Sequence, residues 1–292
     1  MSAILAIDLG GTRCRIGVAS SSNPAAVQAV ANVPAPTSRP EFLALLQSHL
    51  EQQDARALGL GIPGLAEAIT CRWVPNLPYL DGLDLAAEFP GLSIGLGNDA
   101  QLSLLAERES GAAKGLSDAI LLAIGTGIGS AVLSDGRIVS GSMGAACSFG
   151  WAAADVDDPG NDVSGWLERQ ASGRALDELA HNLSLANGAA LIAAARSGDR
   201  AATEALQYPM HILGLALSGA VALLAPKAVI FAGGVVDAFD VLAPLIESGL
   251  IRHLPPHLRQ VELLAARNGP GAGLIGAAHA GALGPAWRSG HG

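Results

Sequence analysis

Aromatic side chains make up only 4% of the 292 residues and charged ones 15%, and lysine occurs only at Lys114 and Lys227. With 26 acidic against 17 basic residues and a formal charge of -9, the chain lacks the cationic surface that nucleic acid or an anionic membrane requires, so neither is an expected partner. The 3 cysteines, Cys14, Cys71 and Cys147, are too few and too far apart for a disulfide framework or a CxxC metal pair, which points to a reducing cytoplasm. No basic segment precedes an apolar stretch at the start, and no signal peptide is expected. The longest apolar run, 212–225, falls short of the roughly 18 residues that suggest a membrane span. It reads as a buried helix closed by His211 and Pro226. The 37 glycines follow no collagen-like period, and disorder is indicated only for 288–292.

What is present is α/β patterning. Residues 3–7 and 15–19 are apolar-rich runs separated by Gly10-Gly11, a hairpin pattern, and 27–33 supplies a third strand. In 39–50, Phe42, Leu43, Leu45, Leu46 and Leu50 share a helical face, and 57–62 is a buried strand ending at Pro63-Gly64. A second run, 92–96, stops at Gly97. Asn98 then starts a helix to about Glu109, which Gly111 and Gly115 end. That break sets the expected domains, 1–113 and 114–292, with the last helix a candidate to pack back on the first. The pattern then repeats with strands at 119–124, 130–133 and 137–139. Helices follow from Trp166, Ala175, Ala189 and Ala201, then a strand at 228–231, a helix at 238–251, a strand at 261–264 and a helix from Ala272. Two halves of the same order imply a duplicated fold with a ligand cleft between its domains.

The first turn carries Asp8, Gly10, Gly11 and Thr12 between two strands. Glycines let phosphate oxygens reach backbone N–H groups, Thr12 adds a hydroxyl, and Asp8 is a hard oxygen ligand that can hold Mg²⁺ directly or through water. A tight turn capped by Asp8 is the plainer reading of the same residues. The second turn, Gly125-Thr126-Gly127-Ile128-Gly129, occupies the equivalent place in the second half, and repetition favours phosphate. It leads into a strand rather than a helix, so it is not a dinucleotide fingerprint, and neither lysine follows a glycine turn as a Walker loop requires. Gly233-Gly234, after a strand, either lets backbone approach an adenine or ribose or makes a plain strand-to-helix turn.

These features resemble the ROK family of bacterial sugar kinases over nearly the whole chain. The carriers are residues 8–12, Gly61-Ile62-Pro63-Gly64, Pro75-Asn76-Leu77-Pro78, Gly97-Asn98-Asp99-Ala100, 124–130, Gly165-Trp166-Leu167-Glu168 and Ala232-Gly233-Gly234-Val235. The resemblance implies an actin-like (ribonuclease H-like) duplicated two-domain ATPase fold with an interdomain cleft, and ATP-dependent phosphorylation of a sugar hydroxyl. Asp99 would be the general base, taking the proton of the attacking hydroxyl. The same stretch also reads as a capping box from Asn98 to Gln101, and both readings hold together because a cap fixes the geometry a base needs. Gly64, Asn76, Asn98, Asp99 and Glu168 would meet the sugar. Asp8, Gly10, Gly11, Thr12, Arg13, Gly125, Thr126, Gly127, Gly233 and Gly234 would meet Mg-ATP, with Asp8 binding Mg²⁺ through water. A homodimer is implied as well.

The chain departs from the family where a G-E-x-G-H segment is usual and Cys147-Ser148-Phe149-Gly150-Trp151 stands instead. The zinc knuckle that normally follows has no cysteines, so no zinc is expected. The Asp155, Asp157 and Asp158 group reads as a solvated acidic loop. Ser148 and Trp151 either reshape the pocket, with Trp151 a platform for a sugar ring, or mark a decayed site. The retained Asp8, Asp99 and both turns favour reshaping. A hexose acceptor phosphorylated on a primary hydroxyl is expected, with an N-acetylhexosamine kinase or a catalytically silent sugar sensor as alternatives. With the first turn at Asp8, a winged helix ahead of it is not expected. Some relatives use polyphosphate, but an acidic chain with so little lysine favours ATP.

Overall fold

The computed structural model describes residues 2–289, so 290–292 of the stretch expected to be disordered lie outside the described residues. The chain divides into two compact units, Met1–Ser117 with Ala131–Cys147 and Arg267–Gly292, and Asp118–Ser130 with Ser148–Ala266. The sequence pattern suggested one cut between 113 and 114; the chain changes unit more than once.

The elements up to Ser117 run β1 (Ala3–Leu9), β2 (Arg13–Ser20), β3 (Asn23–Pro34), α1 (Arg39–Gln52), β4 (Ala55–Ile62), β5 (Leu65–Glu67), β6 (Thr70–Trp73), α2 (Leu85–Glu88), β7 (Ser93–Asn98) and α3 (Asp99–Ser110). They build a sheet of order β3-β2-β1-β4-β7. β1 sits at its centre and is buried from Ile4 onward, as a strand covered on both faces must be. Ser38 caps α1, and Phe42, Leu46 and Leu50 are its buried stripe. The β5–β6 hairpin was not anticipated, because strands of three and four residues are too short to show alternation. β7 runs through Gly97 to Asn98 instead of stopping at Gly97. Parallel pairing with β4 joins Gly61 to Gly97 and Ile62 to Asn98 and carries the ladder to the helix.

The last helix, α9 (Ala272–Leu283), lies on this sheet at backbone distance. Side chains at Gly59 and Gly95 would strike the carbonyl oxygens of Ala277 and Ala280. The loop before α9 is tied to α3 by Glu107, whose fully buried carboxylate accepts the N–H groups of Ala112 (2.6 Å), Arg267 (3.0 Å) and Asn268 (2.8 Å). Glu107→Ala strands these amides and is expected to cost about 3 kcal/mol, since a buried unsatisfied group costs roughly 1–3 kcal/mol. Urea unfolding measures it, and a loss of stability too small to resolve would contradict this role. Arg288 is not disordered as expected: its guanidinium donates to the carbonyl oxygen of Leu96 at 3.0 Å, and burial replaces disorder there.

The remaining elements are β8 (Ala119–Ile124), β9 (Ile128–Ser134), β10 (Arg137–Ile138), α4 (Trp166–Ala171), α5 (Gly173–Asn182), α6 (Gly188–Arg196), α7 (Arg200–Leu224), β11 (Ala228–Gly233), α8 (Phe239–Arg252) and β12 (Glu262–Ala265). Their sheet has the order β10-β9-β8-β11-β12. Counting only the strands of each five-stranded sheet in chain order, both run third, second, first, fourth, fifth, which is the duplication expected from the sequence. α7 starts at its N-cap Asp199 and holds Pro209. By length and composition α7 passes for a membrane span, but half of the apolar window is buried inside the protein. The run read as a buried helix has Ile212, Leu213, Leu217 and Val221 buried, while Leu223 is 83% exposed.

Candidate active site

In the first unit the β1–β2 hairpin closes with Gly10 N–H donating to the Arg13 carbonyl oxygen at 2.8 Å. That closure leaves the amides of Gly11 and Thr12 to other uses. The Cβ of Asn76 lies 3.3 Å from where a Gly11 side chain would begin, so Asn76 abuts the turn. Arg13 is drawn away from it: its guanidinium donates to Asn32 on β3 at 3.0 and 2.6 Å.

Asp8 is 7% exposed. Antiparallel register puts Arg15 opposite it, and the two form an ion pair. Burial raises the Asp8 pKa, and the charge and hydrogen bond of Arg15 only partly oppose that rise. The carboxylate stands over Gly273 at the start of α9, where a side chain would overlap it. Arg15 also donates to the Pro270 carbonyl oxygen at 2.7 Å, bracing the loop before α9. The sequence gives no sign of Arg15, since its place depends on strand register.

Asp99 is the first residue of α3. Asn98 caps that helix: its Oδ1 accepts from Gln101 N–H at 2.7 Å and the Gln101 side chain accepts from Asn98 N–H at 3.4 Å, completing the expected capping box. The Asp99 residue is solvent-accessible, yet protein crowds it closely and this desolvation raises its pKa. A hydrogen bond from Ala100 N–H (2.8 Å) opposes the rise and the charge of Asp8 adds to it. The result is an accessible carboxylate with raised proton affinity, held by a cap. Gly64 has a packing reason to be glycine, because its Cβ would fall 2.3 Å from the Trp73 carbonyl oxygen.

In the second unit the turn at Gly125 closes with Gly125 N–H donating to the Gly127 carbonyl oxygen at 3.0 Å. The Gly125 carbonyl oxygen in turn accepts from Gly173 N–H at 2.7 Å, at the first residue of α5. The positive end of that helix therefore faces the turn, a setting that favours an anion. Glu168 on α4 accepts the Ile128 N–H at 3.0 Å and packs where a Gly127 side chain would be, so one of its oxygens is committed to the turn. Ser148 precedes a short 3-10 turn, Phe149–Trp151, and Trp151 leaves 51% of its surface exposed.

A cavity of about 410 Å³ opens beside this turn, and its walls include Gly125, Thr126, Gly173, Arg174, Asp177 and Gly234. Asp177 accepts from Gly188 N–H at 2.7 Å and joins α5 to α6. Arg196, also in the wall, grips Asp240 at 2.8 and 2.6 Å and the Asp237 carbonyl oxygen at 2.7 Å. Of the expected nucleotide residues, Gly125, Thr126 and Gly234 line it; Gly127 and Gly233 do not. Gly233 (φ +83°) is instead pressed on the Ile124 carbonyl oxygen. Arg174, Asp177 and Arg196 were not foreseen, because a helix face turned to a pocket and one turned to solvent have the same polar pattern.

A model described as the ROK family matches residues 4–281. A glucokinase from Thermotoga maritima is 27% identical over 303 residues, covering 94% of this chain and 96% of that protein. An N-acetylmannosamine kinase from Shigella boydii is 29% identical over 290 residues, with 94% and 96% covered. A solved ROK family glucokinase from Streptomyces griseus, in complex with glucose and AMPPNP, superposes with a TM-score of 0.75 at 25% identity, covering 95% of this chain and 98% of that one.

Proposed function

The chain belongs to the ROK family, with its actin-like duplicated ATPase fold, and on that premise we propose that it is a kinase that transfers the γ-phosphoryl group of ATP to a hydroxyl of a hexose. The observation that carries the reading is the cavity of about 410 Å³ beside the second glycine turn, within the roughly 300–1,000 Å³ of small-molecule sites. Gly125, Thr126 and Gly234 in its wall are residues that the sequence alone points to as nucleotide contacts. The relatives with sugar-kinase names, and AMPPNP in one neighbour, support ATP as the donor.

Asp99 acts as general base, accepting the proton of the sugar hydroxyl as its oxygen attacks phosphorus. Raised proton affinity suits the role, because a base near its pKa transfers protons most effectively. Amides of the Gly125 turn and the N-terminus of α5 receive phosphate oxygens. Asp8 is a single buried carboxylate, and one carboxylate with phosphate oxygens and water is a donor set that fits Mg²⁺. Bound there, the ion would neutralise charge on the transferring phosphoryl group. Asn76, beside Gly11, and Asn98 are the polar contacts assigned to the sugar.

A coupled ADP-release assay with Mg-ATP tests this across hexoses, ketohexoses and N-acetylhexosamines. Turnover on a hexose is expected; turnover with polyphosphate and not ATP would overturn the choice of donor. Arg174 in the cavity wall supplies a cation to the nucleotide. Arg174→Met is therefore expected to raise KM for ATP about tenfold, the worth of one charge-assisted hydrogen bond, while KM for the sugar stays level. An unchanged KM for ATP in steady-state kinetics would remove Arg174 from the site.

A further inference from the structure

We propose that Trp287 and Arg288 are positioning residues that hold the strand end and helix cap carrying Asp99, an inference that rests on Asp99 being the base. The segment lies past residue 281, where the family match ends. Arg288 donates through one nitrogen, Nη2, to the carbonyl oxygens of Leu96 (3.0 Å) and Ala66 (3.4 Å) and to Gln101 Oε1 (3.4 Å). Gln101 Oε1 is the same atom that accepts the Asn98 N–H in the capping box. One side chain thus separates the guanidinium from the residue before the base.

Trp287 works from the other side. It is fully buried and its Nε1–H donates to the Leu96 carbonyl oxygen at 3.1 Å. Its ring occupies the place of a Gly97 side chain, with the nearest ring carbon 2.8 Å from where a Cβ would be. The guanidinium carbon of Arg288 lies 4.3 Å from the centre of the Trp287 ring, a cation–π stack. The Arg288 carbonyl oxygen accepts from Ile138 N–H at 3.0 Å, so the segment is itself anchored. Leu96, Gly97, Asn98 and Gln101 are thereby gripped together, and Asp99 has little freedom to move.

The arrangement is a costly way to fill space. Burial lowers the Arg288 pKa to about 10, yet the group remains a cation near neutral pH. Its guanidinium hydrogen bonds go to neutral oxygens, and a buried cation with no carboxylate paired to it among the described residues is expensive to keep. An apolar residue would serve packing alone at lower cost. What the guanidinium adds is directional hydrogen bonding on the cap of α3.

The test uses the full chain as wild type, Arg288→Met, Arg288→Lys, Trp287→Phe and Asp99→Asn. Hydrogen exchange read by mass spectrometry is expected to show residues 96–101 exchanging about tenfold faster in Arg288→Met while residues 119–124 do not change. With D-glucose and Mg-ATP, kcat is expected to fall about tenfold while KM for ATP stays level, because small misplacement of a reacting group costs rate. Arg288→Lys should recover most of both effects, and Trp287→Phe should show a smaller loss of kcat. Should Arg288→Met fail to fold, the Lys and Phe variants decide by the same readouts. Unaltered exchange at 96–101, or a Lys variant as impaired as Met, overturns the proposal. Wild-type turnover in Asp99→Asn overturns the base and this inference together, whereas an inactive Asp99→Asn beside a fully active Arg288→Met overturns this inference alone.

Discussion

Asp99→Asn is expected to lower kcat by about 10³- to 10⁴-fold while sugar and nucleotide still bind, the upper part of what a positioned general base contributes. The substitution keeps the shape of the side chain and its Oδ1, so the hydrogen bond from Ala100 N–H at 2.8 Å survives and α3 keeps its start. What is lost is the ability to take a proton. The pH profile of the wild type adds a second check. A base works only when deprotonated, so kcat falls as pH drops through its pKa, and because desolvation by the protein crowded around it and the Asp8 charge raise that pKa, the fall should begin at higher pH than for an ordinary aspartate. A profile flat down to the ordinary carboxylate range would contradict the environment described for Asp99.

Asp8→Asn is expected to remove activity by at least about 100-fold without lowering Tm at neutral pH. The folded pKa of Asp8 is raised above its unfolded value, so the ionised form is the one the fold disfavours. Stability is lost as pH rises from the unfolded pKa through the folded one, and it stays lost at neutral pH. An amide carries no such penalty. The ion pair to Arg15 offsets little, since the Arg15 side chain is 42% exposed and exposed pairs contribute at most about 1 kcal/mol. A buried carboxylate kept against its own stability is what a functional residue looks like. A clear drop in Tm with activity retained would make Asp8 a structural group instead.

The signals that were legible in the sequence are local. Gly10-Gly11 between two apolar runs gives the first turn, and Asn98 with Gln101 three positions on gives the cap that the structure contains. The repeat of three strands followed by α/β elements gives the duplicated order, because each half signals its own turns. What was not legible depends on residues brought together across the chain. Glu107 meets the Arg267 amide 160 positions away, and Arg288 meets Leu96 192 positions away. Arg15 faces Asp8 only through strand register. Arg174, Asp177 and Arg196 in the cavity wall sit at polar positions of α5 and α6 that nothing local distinguishes from solvent-facing ones. Arg288 escapes a sequence reading for the same reason, since a residue in a short glycine-containing stretch looks unstructured until its buried acceptors are known.

The most direct test of the account is product detection. A mixture of hexoses and N-acetylhexosamines would be incubated with Mg-ATP and either wild type or Asp99→Asn, and the sugars followed by mass spectrometry. One sugar gaining the mass of a single phosphoryl group with the wild type, and none with the variant, is the predicted result. Folded wild-type protein that binds nucleotide yet phosphorylates no sugar in the mixture would contradict the reading of this chain as a sugar kinase.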